Sequence, residues 1–293
     1  MKQIPYSEIF GSIQGEGWLT GYLTTWIRLV GCNLKCDGFG QKDPTNPETY
    51  DLPYQRVDFS KYEKLEDLPV FEKGCDSSYS WYKDFKRFVK KATIPELADK
   101  LVEVTEKSFG MDLRKYNGHP RTGNWVQLGI TGGEPMLYQK EIGELLEHLE
   151  GNDIYFQNYT IETNGTKPLE AQELLDFMDH TPGGVCFSIS PKLYHVSGEK
   201  NAVLPEVIDQ IANIAHDYWI KFVVNSDPRC WDEIDECLSK MTNRGDIWVM
   251  PVGATSEQQQ GPEIAKIATE ALRRGFYVSA RVHTYLWGNQ IGT

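Results

Sequence analysis

The chain has 293 residues, 40% hydrophobic and 12% aromatic, enough to bury a full core in one large α/β domain. Thirty basic against forty-two acidic residues give a net charge of −12, a field that repels phosphate backbones and argues against direct nucleic-acid binding. The first residues lack a basic segment leading into an apolar run and no stretch approaches bilayer length, so a cytoplasmic protein with no membrane contact is expected.

The first predicted strand is TTWIRLV at 24–30. Residues 37–74 then break the rhythm: Pro44, Pro47, Pro53 and Pro69 would interrupt any long helix or interior strand. Tyr50, Tyr54, Phe59, Tyr62 and Phe71 give this inserted excursion enough aromatic area to fold against something. A helix follows at 93–109, with Thr93 and Glu96 placed as a capping box. Beyond it, strands at 125–130, 159–163, 185–190, 219–224, 247–251 and 277–282 are separated by helices at 137–150, 168–180, 204–217, 227–242 and 255–274. This repeated βα unit calls for a parallel sheet of six to seven strands, with chemistry at the strands' C-terminal ends. A partial barrel and a doubly wound open sheet share the alternation.

Six cysteines are too few and too scattered for a disulfide-stapled fold, so reduced thiols are expected, some of them available as ligands. Two fragments, LVGCNLKCDGFG at 29–40 and FEKGCDSSYSWY at 71–82, flank the excursion. Removing it in thought brings Cys75 to Cys32 and Cys36, three thiols at a strand exit. A structural zinc site wants four protein ligands, whereas a 4Fe-4S cluster held by three thiolates leaves one iron open. Ordinary buried thiols are the plainer alternative, against which stand the glycine flanks and the close spacing. Gln14, in SIQGEGWLTG, carries both a donor and an acceptor, and Arg28 a planar fork; taken alone, a glycine-rich turn and a surface arginine account for them equally well. GITGGEP at 129–135 follows a strand, with glycines that permit close backbone approach and a carboxylate suited to an ammonium group.

Cys32-x3-Cys36 followed by CDSSYSW resembles the radical S-adenosylmethionine (SAM) superfamily and, within it, the 7-carboxy-7-deazaguanine synthase family. In the family the three cysteines usually lie in a compact C-x3-C-x2-C pattern ending in CDT; here Phe39 occupies the third position, and Cys75 follows Cys36 after 38 intervening residues. The resemblance implies a partial (β/α)6-type radical SAM barrel of parallel strands, with an inserted loop after the first strand. Residues 1–293 would form a single domain and 37–74 an insertion in the cluster-binding loop. Cys32, Cys36 and Cys75 would hold the 4Fe-4S cluster. Ile13, Gln14, Gly15, Glu16, Arg28, Thr131, His283 and the carboxylate of Thr293 would meet a pterin substrate. Gly133, Glu134, Ser190, Pro191 and Lys192 would bind SAM. Ser77, in the place of the CDT threonine, would bind Mg2+ with support from Asp76. The implied activity converts 6-carboxy-5,6,7,8-tetrahydropterin to 7-carboxy-7-deazaguanine with loss of ammonia, on a homodimer served by a flavodoxin- or ferredoxin-type electron donor. An activating enzyme of the same superfamily would share the cluster and the GGE turn, and a zinc-binding interaction protein would share only the thiols.

Overall fold

Alternation with period two sorts each parallel strand into an apolar outer face and a mixed inner face. The computed structural model describes residues 2–115, 118–181 and 184–293. It opens with β1 (Ile4–Ile13) and β2 (Leu23–Leu29), continues through β3 (Lys90–Ala92), and reaches the first helix, α1 (Ile94–Phe109). The βα units follow: β4 (Gln127–Gly132), α2 (Gln139–Gly151), β5 (Tyr159–Thr163), α3 (Gln172–His180) and β6 (Val185–Ile189). The short α4 (Tyr194–Ser197) precedes α5 (Pro205–Ile214), β7 (Asp217–Val224), α6 (Arg229–Ser239), β8 (Asp246–Pro251), α7 (Pro262–Arg273), β9 (Tyr277–Val278) and α8 (Val282–Trp287). Ile27, Ile130, Ile161, Phe187, Phe222 and Val249 turn outward into the main core, where Leu101, Leu146, Leu174, Ile211 and Ile234 of the helices cover them. Arg28, Thr131, Glu162, Ser188, Lys221 and Met250 turn inward to line a cavity.

The sheet order is β3-β1-β2-β4-β5-β6-β7-β8-β9. From β2 to β9 every pairing is parallel, and β4 to β9 stand in sequence order, which fits the partial barrel and not a doubly wound sheet. β1 and β3, which that alternation does not reveal, extend it antiparallel beyond β2. The strand expected at 277–282 stops after two residues. There Ser279 and Arg281 turn their side chains onto the segment after β1 instead of continuing the ladder. Val282 N–H donates to the Gly15 carbonyl at 2.9 Å and Gly17 N–H to Ser279 Oγ at 2.8 Å, so the segment after β9 meets the segment after β1. Among the described residues, no helix is long and apolar enough to cross a membrane.

The excursion between β2 and β3 forms no long element. Prolines start short 3-10 turns at Pro47–Thr49 and Pro53–Arg56, and further turns follow at Phe59–Lys61 and Leu65–Asp67. Tyr54, Leu65, Leu68, Phe71, Tyr79, Phe85 and Phe88 build a second core of their own, with Phe59 and Tyr62 packed on it. Edge-to-face contacts dominate it, among them Phe59–Phe85 at 5.2 Å and Tyr54–Phe71 at 6.3 Å. Tyr50 stands apart, its hydroxyl on the Pro44 carbonyl. Because Phe85 is fully buried in this small cluster, Phe85→Ala is expected to cost about 3–5 kcal/mol locally. Limited proteolysis checks it: cleavage within 40–88 should precede cleavage of the barrel in the variant, and not in the parent.

Candidate active site

Glycine at 31 lets the chain leave β2 in the left-handed region (φ 107°) and enter the cysteine loop. Cys36 adopts φ 56° without being glycine, a conformation that neighbouring contacts must hold. Glu199 supplies them: one carboxylate oxygen accepts the N–H groups of Lys35 and Cys36, each at 2.6 Å. Asn33 is fixed between Thr166, at 2.8 Å, and Asn164, at 3.1 Å. Gly74 N–H then donates to the Phe39 carbonyl at 2.7 Å, closing the neck of the excursion. This bond brings Cys75 back beside the position where the compact motif would place its third cysteine.

Cys32, Cys36 and Cys75 face one cavity of about 290 Å3. All six cysteines are unpaired. Burial pushes the Cys32 thiol up to about 12, and it raises Cys36 and Cys75 as well. Thiolates here therefore need a cation to offset their charge. Among the described residues, no three His, Cys, Asp or Glu side chains converge as ligands of a single metal ion. A tetrahedral zinc needs its ligands to meet at one point; a cubane takes one thiolate per iron and needs only that the three thiols face the same space. The donor set fits a three-thiolate cluster.

The GGE turn after β4 crosses directly over this loop. A Cβ on Gly133 would lie 2.1 Å from the Gly31 carbonyl oxygen and 2.8 Å from Cys32 Cβ. The glycine thus admits a neighbouring strand exit, while Gly133 also lines the cavity. Glu134 does not line it. Its carboxylate is fully buried and accepts from Met136 N–H, Thr163 Oγ1 and Asn164 N–H at 2.7 to 2.9 Å. Ser190 and Lys192 line the cavity, with Lys192 Nζ 3.0 Å from Ser190 Oγ, while Pro191 is buried behind them.

Ile13, Gln14, Gly15, Glu16, Arg28, Thr131, His283 and Thr293 line the same cavity. Gly15 leaves room for the His283 ring, since a Cβ there would lie 2.0 Å from Nδ1. Burial first, and then the Arg281 charge, lower His283 from its ordinary 6.5 to about 4, so the ring is neutral near pH 7. Burial alone would raise the Glu16 carboxyl, but Lys221 and Arg281 outweigh it and hold the group well below the usual carboxylate range. Asp76 is paired with Arg281 at 2.6 Å, so its charge is already countered, and Ser77 Oγ lies 3.5 Å from Cys75 Sγ. Sequence reasoning passes over Glu162, Lys221 and Arg281. Glu162 accepts from Thr131 Oγ1 at 2.9 Å and Gln14 Nε2 at 3.3 Å, joining two candidate substrate residues. The strand ending ETNGT is the signal that could have found it.

The parallel partial barrel thus brings three thiols on the loops beside β2 and a glycine turn after β4 to one cavity. No protein-family model matches the chain. The 7-carboxy-7-deazaguanine synthase of Pyrobaculum aerophilum is 26% identical over 291 residues, covering 97% of this chain and 95% of that protein. That of Hyperthermus butylicus is 26% identical over 281 residues, covering 94% and 89%. The crystal structure of QueE from Escherichia coli superposes with a TM-score of 0.53 at 23% identity, over 96% of this chain and 95% of that one. Over nearly its whole length the chain is thus similar to 7-carboxy-7-deazaguanine synthases.

Two expectations follow from the geometry. Gly133→Ala sets a methyl group against backbone that cannot rotate away, and should cost on the order of 2–3 kcal/mol while lowering bound iron; urea unfolding and iron analysis measure both. For His283, the folded form resists protonation while the unfolded chain protonates near 6.5, so stability should fall as pH drops from about 6.5 to about 4. The loss reaches at most about 3 kcal/mol, and His283→Gln should flatten that interval in pH-dependent denaturation. The depressed Glu16 carboxyl acts in a separate window, below its unfolded value of 4.5.

Proposed function

We propose that this chain converts 6-carboxy-5,6,7,8-tetrahydropterin to 7-carboxy-7-deazaguanine, with loss of ammonia, in 7-deazapurine biosynthesis of the queuosine type. The observation that carries the reading is a single cavity with three thiols on one side and a ring of donors and acceptors on the other. Cys32, Cys36 and Cys75 would hold a 4Fe-4S cluster, which with SAM supplies a radical able to abstract hydrogen from the pterin. The protein's own contribution is placement and exclusion of water. Glu162 and Gln14 address the donor and acceptor edge of the heterocycle, and Arg28 offers its terminal nitrogens to the carboxylate. Neutral His283 donates or accepts without adding charge. Lys192 and Ser190, with the Gly133 backbone, form the SAM side, and Ser77 offers a hard oxygen to Mg2+.

The whole chain then acts as one radical SAM domain with 37–74 as an insertion. Residues 69–72 and Gly74 wall the cavity, which supports a covering role for the excursion. Most of its aromatic side chains are spent in their own core, and among the described residues none of its large apolar side chains is exposed, so they offer no apolar docking face. A flavodoxin- or ferredoxin-type donor, a homodimer and a cytoplasmic setting complete the reading on family likeness.

The test is anaerobic reconstitution with iron and sulfide, then incubation with SAM, reductant, Mg2+ and the carboxypterin. Mass detection of the deazaguanine acid is the expected result, with Cys75→Ala losing both iron and product. Protein that holds the cluster and cleaves SAM but yields no such acid would exclude this substrate.

A further inference from the structure

β1 carries a bulge between Tyr6 and Glu8. In a regular strand these two side chains would share a face; the extra residue, Ser7, puts them on opposite faces. Tyr6 pairs with Leu29 on the core side and Glu8 with Arg28 on the cavity side. A carboxylate is thereby aimed, by one inserted residue, at a candidate substrate residue. Glu8 is 2% exposed. Its Oε1 accepts from Arg28 Nε at 2.7 Å and from the Tyr79 hydroxyl at 2.9 Å, while Oε2 has no partner among the described residues. The Tyr79 ring lies under the same guanidinium, 5.6 Å from Cζ to centroid. Among the described residues no hydrogen bond engages the two terminal nitrogens of Arg28, and Arg28 lines the cavity.

Burying a carboxylate with one oxygen unsatisfied is costly, and an apolar residue on this face of β1 would avoid the cost. What Glu8 provides in return is orientation. A guanidinium has a side edge, containing Nε, and an end edge of two terminal nitrogens. Glu8 occupies the side edge, Tyr79 blocks one face of the plane, and the end edge is left pointing at the cavity. Tyr79 belongs to the turn Ser78–Ser80, which begins three residues after Cys75. The loop that carries the third cluster thiol therefore also holds the substrate fork.

We propose that Glu8 and Tyr79 are positioning residues that set the end edge of Arg28 toward an anionic substrate group, and that through Tyr79 this grip is coupled to docking of the Cys75 loop. The inference rests on the reading that Arg28 meets the substrate carboxylate. Coupling of this kind is reciprocal: whatever the docked loop adds to carboxylate binding, the bound carboxylate returns to the loop.

The experiment uses reconstituted holoprotein of the parent, Tyr79→Phe, Glu8→Gln and Arg28→Lys. Binding of the carboxypterin and of its neutral carboxamide is measured by equilibrium dialysis, and iron release to a chelator is followed with and without saturating carboxypterin. Tyr79→Phe keeps the ring and removes one hydroxyl. It should weaken acid binding by about tenfold, leave the carboxamide unchanged, and reduce the protection that the acid gives against iron release. Glu8→Gln should shift the acid-over-amide preference the same way, and if it does not fold, Tyr79→Phe alone decides. Equal loss for acid and amide would mark a merely structural role, and unchanged iron protection would overturn the coupling. If Arg28→Lys abolishes the preference while the other two variants keep it, the positioning inference fails alone. If Arg28→Lys also keeps the preference, it is the assignment of Arg28 to the carboxylate that fails.

Discussion

The open edge of the barrel is held by the guanidinium of Arg281, which reaches three separate parts of the chain at once. Its nitrogens donate to Glu16 at 2.9 Å, to the Gly253 carbonyl at 2.9 Å and to Asp76 at 2.6 Å. Those partners come from the turn after β1, the loop after β8 and the residue beside Cys75. Without a cation between them, Glu16 and Asp76 would be two half-buried carboxylates, with Glu16 raising the protonation of Asp76. Lys221 adds a second cation on Glu16. A lysine in place of Arg281 keeps the charge but presents a single point, so it cannot span three partners. Breaking such a half-buried pair leaves a charge that only solvent can answer. An incomplete barrel thus keeps its edges together by charge where a closed one would use a ladder of backbone hydrogen bonds.

What the sequence makes legible follows from how local each signal is. The βα alternation, the capping box at Thr93 and Glu96, the paired cysteines and the GGE turn are each written within a few consecutive residues. β1 is not. IPYSEIFGSI contains a proline, a buried glutamate and a glycine, and its bulge breaks the period-two pattern at the place where strand assignment would look for it. Glu162, Lys221 and Arg281 are isolated charges in otherwise apolar strands or beside them. Their common purpose exists only once the parallel register has placed the strands side by side. The glycines of the GGE turn read from sequence as room for a ligand, whereas the close approach that the structure shows there is the exit of β2.

The excursion shows how a motif can be split without losing its geometry. Loop closure grows only slowly more costly with length, so 38 residues between two ligands are tolerable if the ends are clamped and the interior pays its own ordering entropy. Both conditions are met. The bond from Gly74 to Phe39 and that from Gly38 N–H to the Ser197 carbonyl, at 2.9 Å, clamp the neck. The aromatic core from Tyr54 to Phe88 orders the interior. Tyr79 belongs to that core and to the Glu8–Arg28 contact, so the same packing that folds the excursion sets one wall of the cavity.

Charge accounting across the cavity separates groups that build it from groups left for a ligand. Glu16, Asp76, Lys221 and Arg281 neutralise one another, and Glu8 is paired with Arg28. Four charged side chains of the lining remain outside any ion pair among the described residues, of which Lys35 and Glu72 are exposed to solvent and Glu162 and Lys192 are half-buried. Glu162 receives only the neutral donors Gln14 and Thr131, and Lys192 contacts only the Ser190 hydroxyl. In a buried site an unmatched charge is stable only if solvent or a ligand answers it. An anionic group answering Lys192 would lie on the Ser190 side, and donors answering Glu162 would lie among Gln14, Thr131 and Arg28. These are the two places where the proposed reaction needs, respectively, the carboxylate of SAM and the N–H edge of a pterin. On the proposed reading, Lys192 and Glu162 would each meet a ligand group of the opposite demand.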